Sequence, residues 1–483
     1  MNTAIFTAVC LASAALIVFV AMVTPNEEMV LVLGSPGSGK SVGSARDAVE
    51  YPGTVVILDP AKDSLARLVL MHDPSPNILF DSLSDLEHPL GYDLLKPSRH
   101  PNPERRRMQN QLRIQAMVEI MMRRGGGDLA STPLKEEWLT AALLCHIEQV
   151  RPKPLAMLPF LFMPGTAEFD AYVRDCSLPE IRFKFQQIAK LSLRGLRSEV
   201  GSAARLVSAV FRSPAFLARC NGGFDLGAFL QSPRARLIIE RGDEIDEDAT
   251  RTIIGGINVL VTEWCETRPK PYPPVKIKLD ECTNAKTAGK FEEKKAGLTR
   301  KNGLTWEFLC QHPNFPGGPD GYYQNCAKKL VYQTSDYDLA RKMATFAEPG
   351  FPPTDESRTE RVAMLTAMMM NFRPGERLVI SRSGSRIEKV PMLENPWPAW
   401  PGLREAKLME KICRIYTRPE YRQTISGTPP IGGDATPPSS SSSDPAPSPP
   451  PTSPGSSPAE RFKRDGKKPP SGSADSGGED GSE

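Results

Sequence analysis

The 483 residues exceed one ordinary core, and at about 150 residues per domain they divide into two or three units plus tails. Hydrophobic residues at 40% and charged residues at 24% exclude wholesale disorder. Sixty Lys and Arg against 57 Asp and Glu exclude a highly basic nucleic-acid coat while permitting a local basic channel.

In chain order, residues 4–23 carry no charge. Twenty residues in a helix span about 30 Å, the hydrocarbon core of a bilayer. This segment reads as a single membrane anchor, with a cleaved signal peptide as the alternative. Its flank offers only Glu27 and Glu28, which encode orientation poorly. Residues 29–33 (MVLVL) have strand character and open into Gly34, Ser35, Pro36, Gly37, Ser38, Gly39, Lys40 and Ser41. A helix over 42–50 and a strand over 54–58 ending on Asp59 complete a βαβ unit.

Residues 103–230 read as helical, with amphipathic stretches at 108–123, 135–150 and 183–211. Arg105, Arg106 and Arg107, near the start of a helix ending in Arg123 and Arg124, could contact nucleic-acid phosphates or form a solvated face. Strand signals return at 236–239, 275–279, 306–309, 329–332 and 377–380, with a helix expected at 250–267. Strand–helix alternation on both sides of a helical block predicts a parallel α/β core carrying an all-α insertion. Met368 to Met370 read as core packing. Of the 47 prolines, 13 fall in the last 57 residues, where Ser and Pro runs predict a disordered tail. Nine cysteines without a CxxC pair and five unclustered histidines argue against structural zinc or disulfides, and for a reducing compartment.

The octet 34–41 matches GxxxxGK[ST] at every fixed position. Glycines let backbone N–H groups turn inward around phosphates, Lys40 would reach the β- and γ-phosphates, and Ser41 would hold Mg²⁺. A second acidic site must complete that chemistry. Asp280 and Glu281, ending the strand 275–279, are the better candidates, for the magnesium shell and for polarising the attacking water. Lys276 and Lys278 are awkward there, since a central parallel strand is usually an apolar run. Asp243 and Glu244, beyond Gly242, are the competitors. Gln311, at the end of the strand 306–309, could sense the γ-phosphate or be a plain loop residue. Arg300 could serve a neighbouring subunit as a charge-stabilising arginine, or belong to a solvated basic turn. No NKxD motif supports a GTPase.

The order of these motifs resembles the type IV coupling proteins, the TraG/TraD-like ATPases that deliver DNA in conjugation. The similarity runs from about residue 29 to 400: 30–41, 55–68, 88–95, 134–149, 279–284, 298–311, 325–344 and 373–384 follow the family's order. It implies a RecA-like P-loop NTPase with a mostly parallel sheet, using ATP and Mg²⁺. The implied domains are an anchor at 4–23, an ATPase domain at 27–102 and 231–402, an all-α insertion at 103–230 and a disordered tail at 427–483. It also implies Lys40 and Ser41 as phosphate and metal ligands, Asp280 and Glu281 as hydrolytic acids, Arg300 as the arginine finger in trans and Gln311 as the sensor. Implied partners are DNA, a relaxase, a type IV secretion channel and five further copies in a hexameric ring. The expected location is the bacterial inner membrane, single-pass, with the ATPase domain cytoplasmic. The chain departs from the family in showing one N-terminal span rather than two and in lacking a second glutamine shortly after Gln311. The competing reading is a nucleotide-regulated membrane tether or assembly protein that does not translocate DNA.

Overall fold

The computed structural model describes residues 29–60, 65–95, 97–98, 102–123, 133–220, 222–242, 245–268, 272–283, 291–293, 295, 300–313, 320–351, 356–391, 393 and 400–426. The described residues open with β1 (Val30–Leu33), α1 (Lys40–Glu50), β2 (Thr54–Asp59), α2 (Leu65–His72) and β3 (Ile78–Ser82). Helices then follow without a strand: α3 (Pro103–Met122), α4 (Pro133–Ile147), α5 (Ala167–Asp175), α6 (Pro179–Ile188), α7 (Leu193–Phe211), α8 (Pro214–Cys220) and α9 (Leu226–Leu230). Next come β4 (Arg236–Glu240), α10 (Glu247–Thr267), β5 (Val275–Leu279) and β6 (Leu304–Cys310). The remainder is α11 (Asp320–Asn325), β7 (Lys328–Tyr332), α12 (Tyr337–Ala347), α13 (Arg358–Met370), β8 (Glu376–Ser381), β9 (Gly384–Lys389), α14 (Pro401–Tyr416) and α15 (Pro419–Ser426).

One sheet collects all nine strands in the order β3-β4-β2-β5-β6-β1-β7-β8-β9. The first seven are parallel, and β8 and β9 close one edge as an antiparallel hairpin. The central strands are buried along their whole length, which is why β1 is wholly apolar and β2 and β4 are apolar between their end residues. β9, at the edge, is polar and half-exposed. The register pairs Leu33 with Cys310 and Leu279 with Phe308. The C-terminal ends of β1, β6 and β5 therefore lie side by side, where the loops after parallel strands meet.

The helices keep their sequence-level caps. Asn102 caps α3 by accepting from the Glu104 and Arg105 amides, with Pro103 in the first turn. The stretch expected as one element over 183–211 is two helices, because Ser192 caps α7 by accepting from the Gly195 amide. Buried ion pairs tie elements together. Arg219 of α8 and Asp81 of β3 pair with both side chains fully buried, and Arg236 Nε reaches Asp73 Oδ2 at 2.6 Å.

Several expectations are corrected here. Arg105, Arg106 and Arg107 are exposed on α3, whereas Arg123 is buried with its Nη2 bonded to Glu292 Oε2 at 2.7 Å, and Arg124 lies outside the described residues. Of the methionine run, Met369 is fully buried while Met368 is exposed. The single-pass inner-membrane location is overturned: among the described residues no helix is long and apolar enough to cross a membrane. The anchor expected at 4–23, the tail at 427–483, and Asp243 and Glu244 lie outside the described residues.

Candidate functional site

The loop between β1 and α1 is held from three sides. The Ser35 amide donates to Gln333 O at 2.8 Å beyond β7, the Ser335 amide to Ser35 Oγ at 3.1 Å, and the Gly375 amide to Ser38 O at 3.0 Å. Gly39 has φ +96°, and a Cβ there would stand 2.9 Å from the Gly375 amide nitrogen. Both the backbone angle and the close approach demand glycine. Among the described residues no side chain caps α1, and its first turn holds no acid. Its N–H groups and the positive end of its dipole are left facing the loop, the arrangement that binds anions. Ser38 Oγ is buried in the loop with no hydrogen-bond partner among the described residues. Pro36 and Gly37 are the outward part of the turn, and Ser41 is half-buried in the first turn of α1.

Lys40 is buried, donating to Gly34 O at 2.8 Å, with its Nζ 3.9 Å from Glu281 Oε1. Glu281 follows β5 in the left-handed region, with φ +42°. Its Oε1 also accepts from Gln311 Nε2 at 2.9 Å. Lys40, Glu281 and Gln311 thus converge from three neighbouring strand ends, although they are remote in sequence. Asp280 is buried beside them, and its Oδ1 accepts the Glu281 amide at 2.9 Å. Burial, then the nearby Asp59 and Glu281 charges, push the Asp280 carboxyl up to about 7. Asp59 is a partner that motif reading passed over: fully buried, it ends β2 as Asp280 follows β5, and the Asp280 amide donates to Leu58 O at 3.1 Å. The available signal was that both apolar strands run into an acid.

Ser41 and Asp280 are the residues with chemistry suited to a hard divalent cation. Among the described residues no group of three or more His, Cys, Asp or Glu could hold a metal by itself. That fits a cation that completes its shell with phosphate oxygens and water.

Arg300 lies elsewhere. It opens the 3₁₀ turn Arg300–Asn302 ahead of β6, whereas Gln311 follows the strand. Seven strand residues put about 20 Å between the two ends. The structure does not bring Arg300 to the loop of its own chain.

The lysines of β5 are explained by what faces them. Lys278 is fully buried and its Nζ donates to Glu307 Oε2 at 2.6 Å, Asp47 Oδ2 at 2.8 Å and Ser44 Oγ at 3.2 Å. Lys276 donates to Asp47 Oδ2 at 3.1 Å and lies over the Tyr51 ring. Ser44 Oγ donates to the other Glu307 oxygen. Burial opposes both charges, but the lysines hold the Asp47 carboxyl well below its usual range, and Asp47 and Glu307 raise the Lys278 pKa. An ion network therefore clamps α1 to the sheet one turn beyond Lys40. A groove of about 850 Å³ between α3 and α10, lined by Leu112, Arg113 and Trp264 among others, contains none of the predicted site residues.

No family model matches the chain, and no curated protein matches its sequence. Solved structures do. The plasmid coupling protein TrwB in complex with the non-hydrolysable ATP analogue ADPNP is similar at a TM-score of 0.55 and 18% identity, over 79% of this chain and 89% of that one. TrwB in complex with ADP and Mg²⁺ gives 0.53 and 16%, over 78% and 89%. The unbound bacterial conjugative coupling protein TrwBdeltaN70 gives 0.54 and 16%, over 77% and 87%. At such identities the likeness is one of fold alone: a mixed α/β architecture with a mostly parallel nine-stranded sheet.

Proposed function

We propose that this chain is a P-loop ATPase that drives transfer of DNA or nucleoprotein in a conjugation or type IV secretion system. The observation that carries the reading is the convergence of Lys40, Glu281 and Gln311 beside an uncapped helix N-terminus, in a fold shared with TrwB. In this reading residues 27–102 and 231–402 form the ATPase domain, and 103–230 the helical insertion that faces DNA and a relaxase.

ATP fits the loop: the helix start that no side chain caps favours an anion, Ser38 Oγ is a buried hydroxyl beside it, and Gly37 and Gly39 take the left-handed backbone that the turn requires. Lys40 neutralises the β- and γ-phosphates, exchanging its bond to Gly34 O for the anion. Ser41 and Asp280 would hold Mg²⁺, which when bound neutralises charge on the phosphate oxygens. Glu281 orients and polarises the attacking water, and Gln311 fixes the carboxylate that does so. The span of β6 between Gln311 and Arg300 favours a ring, a homo-hexamer by the resemblance, in which Arg300 serves the next subunit's ATP.

A motor of this kind hydrolyses ATP faster when DNA is present. Turnover measured at low salt with single-stranded and duplex DNA should rise in the wild-type chain and vanish in Lys40→Ala. Hydrolysis that depends on Lys40 but ignores both DNAs would contradict the motor and leave a nucleotide-binding assembly protein.

A further inference from the structure

The turn that carries Arg300 is unusually well held. The three carbonyls after Arg300 each accept a hydrogen bond: Lys301 O from Tyr272 Oη at 2.6 Å, Asn302 O from Arg268 Nη2 at 2.8 Å, and Gly303 O from the Val275 amide at 2.8 Å. Arg268 is 8% exposed, and its guanidinium carbon lies 4.6 Å from the Trp264 ring centroid and 4.2 Å from that of Tyr272. Its Nε and Nη1 find no hydrogen-bond partner among the described residues. The stacked guanidinium thus directs its remaining donor, Nη2, at the turn. Gly303 has φ +67°, and a Cβ there would stand 2.7 Å from Tyr272 Cε2, so the tyrosine ring packs directly on the backbone.

We propose that Tyr272 and Arg268 are positioning residues that fix the Arg300–Asn302 turn at the height from which Arg300 serves a neighbouring subunit. The inference rests on the trans-acting reading of Arg300 above. It assigns a role to the segment between α10 and β5, which no motif marks. Hydrogen bonds to successive carbonyls fix the peptide planes, and hence the direction in which the residue before them projects. Displacing a charge-stabilising group by about 1 Å costs on the order of 10²-fold in rate.

The test uses the full chain and DNA-stimulated ATP turnover. Tyr272→Phe keeps the ring and its stacking and removes only the hydroxyl. It is expected to lower kcat about 10- to 100-fold with KM for ATP unchanged. In an Arg300→Ala background the same substitution should cost nothing further. If Arg300→Ala alone turns over at the wild-type rate, the reading of Arg300 fails and the clamp with it. If Arg300→Ala is impaired while Tyr272→Phe is normal, the clamp alone is overturned. A loss that adds to that of Arg300→Ala, or that tracks a fall in ATP affinity or melting temperature, would also overturn it, because core packing would then explain the effect.

Discussion

Glu281→Gln should reduce ATP turnover by about 10²- to 10⁴-fold while ATP affinity stays close to wild type. The two side chains have nearly the same shape, so the substitution tests charge and basicity rather than packing. Glu281 Oε1 is the meeting point of Gln311 Nε2 at 2.9 Å and Lys40 Nζ at 3.9 Å. An amide in its place cannot take the proton of an attacking water, and it removes the negative charge that orients it. The left-handed backbone at Glu281, φ +42°, is a conformation that costs a non-glycine residue about 1 kcal/mol or more. It turns the side chain back toward Lys40. Single-turnover hydrolysis, with binding followed separately, distinguishes a chemical defect from a binding one. Turnover within tenfold of wild type, at full occupancy, would remove Glu281 from the chemistry.

The second large effect concerns stability. Lys278→Ala should cost about 3–5 kcal/mol, read by chemical denaturation, because it leaves Glu307 buried and charged without its cation. Asp47 sits at the outer end of the network and retains Lys276, so most of the penalty belongs to Glu307. Replacing both partners, Lys278→Met with Glu307→Met, should recover most of the loss, since an apolar pair of similar volume is often neutral there. A cost below about 1 kcal/mol for Lys278→Ala would mean that water reaches the network and that it does not hold α1 to the sheet.

These two sites show what was legible in the sequence. Gly34 to Ser41 could be read because the loop's requirements are local: glycine φ angles, one lysine and one hydroxyl in fixed order. The place of Asp280 and Glu281 could be read because β-branched residues and alternation over 275–279 mark a strand that stops just before them. The lysines of β5 looked misplaced because their partners Asp47 and Glu307 lie 231 and 29 residues from Lys278, and no local pattern announces a buried ion network. The burial of Arg123 was hidden for the same reason: its partner Glu292 is 169 residues away. β3 and β9 escaped notice, the first being short and flanked by acids, the second polar because it lines an exposed edge. Tyr272 and Arg268 lie in a proline-rich stretch that reads as linker, and their importance rests on carbonyls some 30 residues downstream. The expectation of a single-pass membrane location came from hydropathy at 4–23 and from the resemblance, and among the described residues no helix is long and apolar enough to cross a membrane.

In the function proposed here one hydrolytic centre is built from two subunits, with Lys40, Glu281 and Gln311 at one end of the sheet and Arg300 about 20 Å away at the other. Mixing Lys40→Ala with Arg300→Ala chains tests it most directly. Each variant alone should be nearly inactive. In randomly mixed rings about a quarter of the interfaces pair an intact loop with an intact arginine, and DNA-stimulated turnover should reappear in that proportion. Turnover no greater than the average of the two separate variants, in preparations where mixed rings are verified by mass spectrometry, would contradict the account.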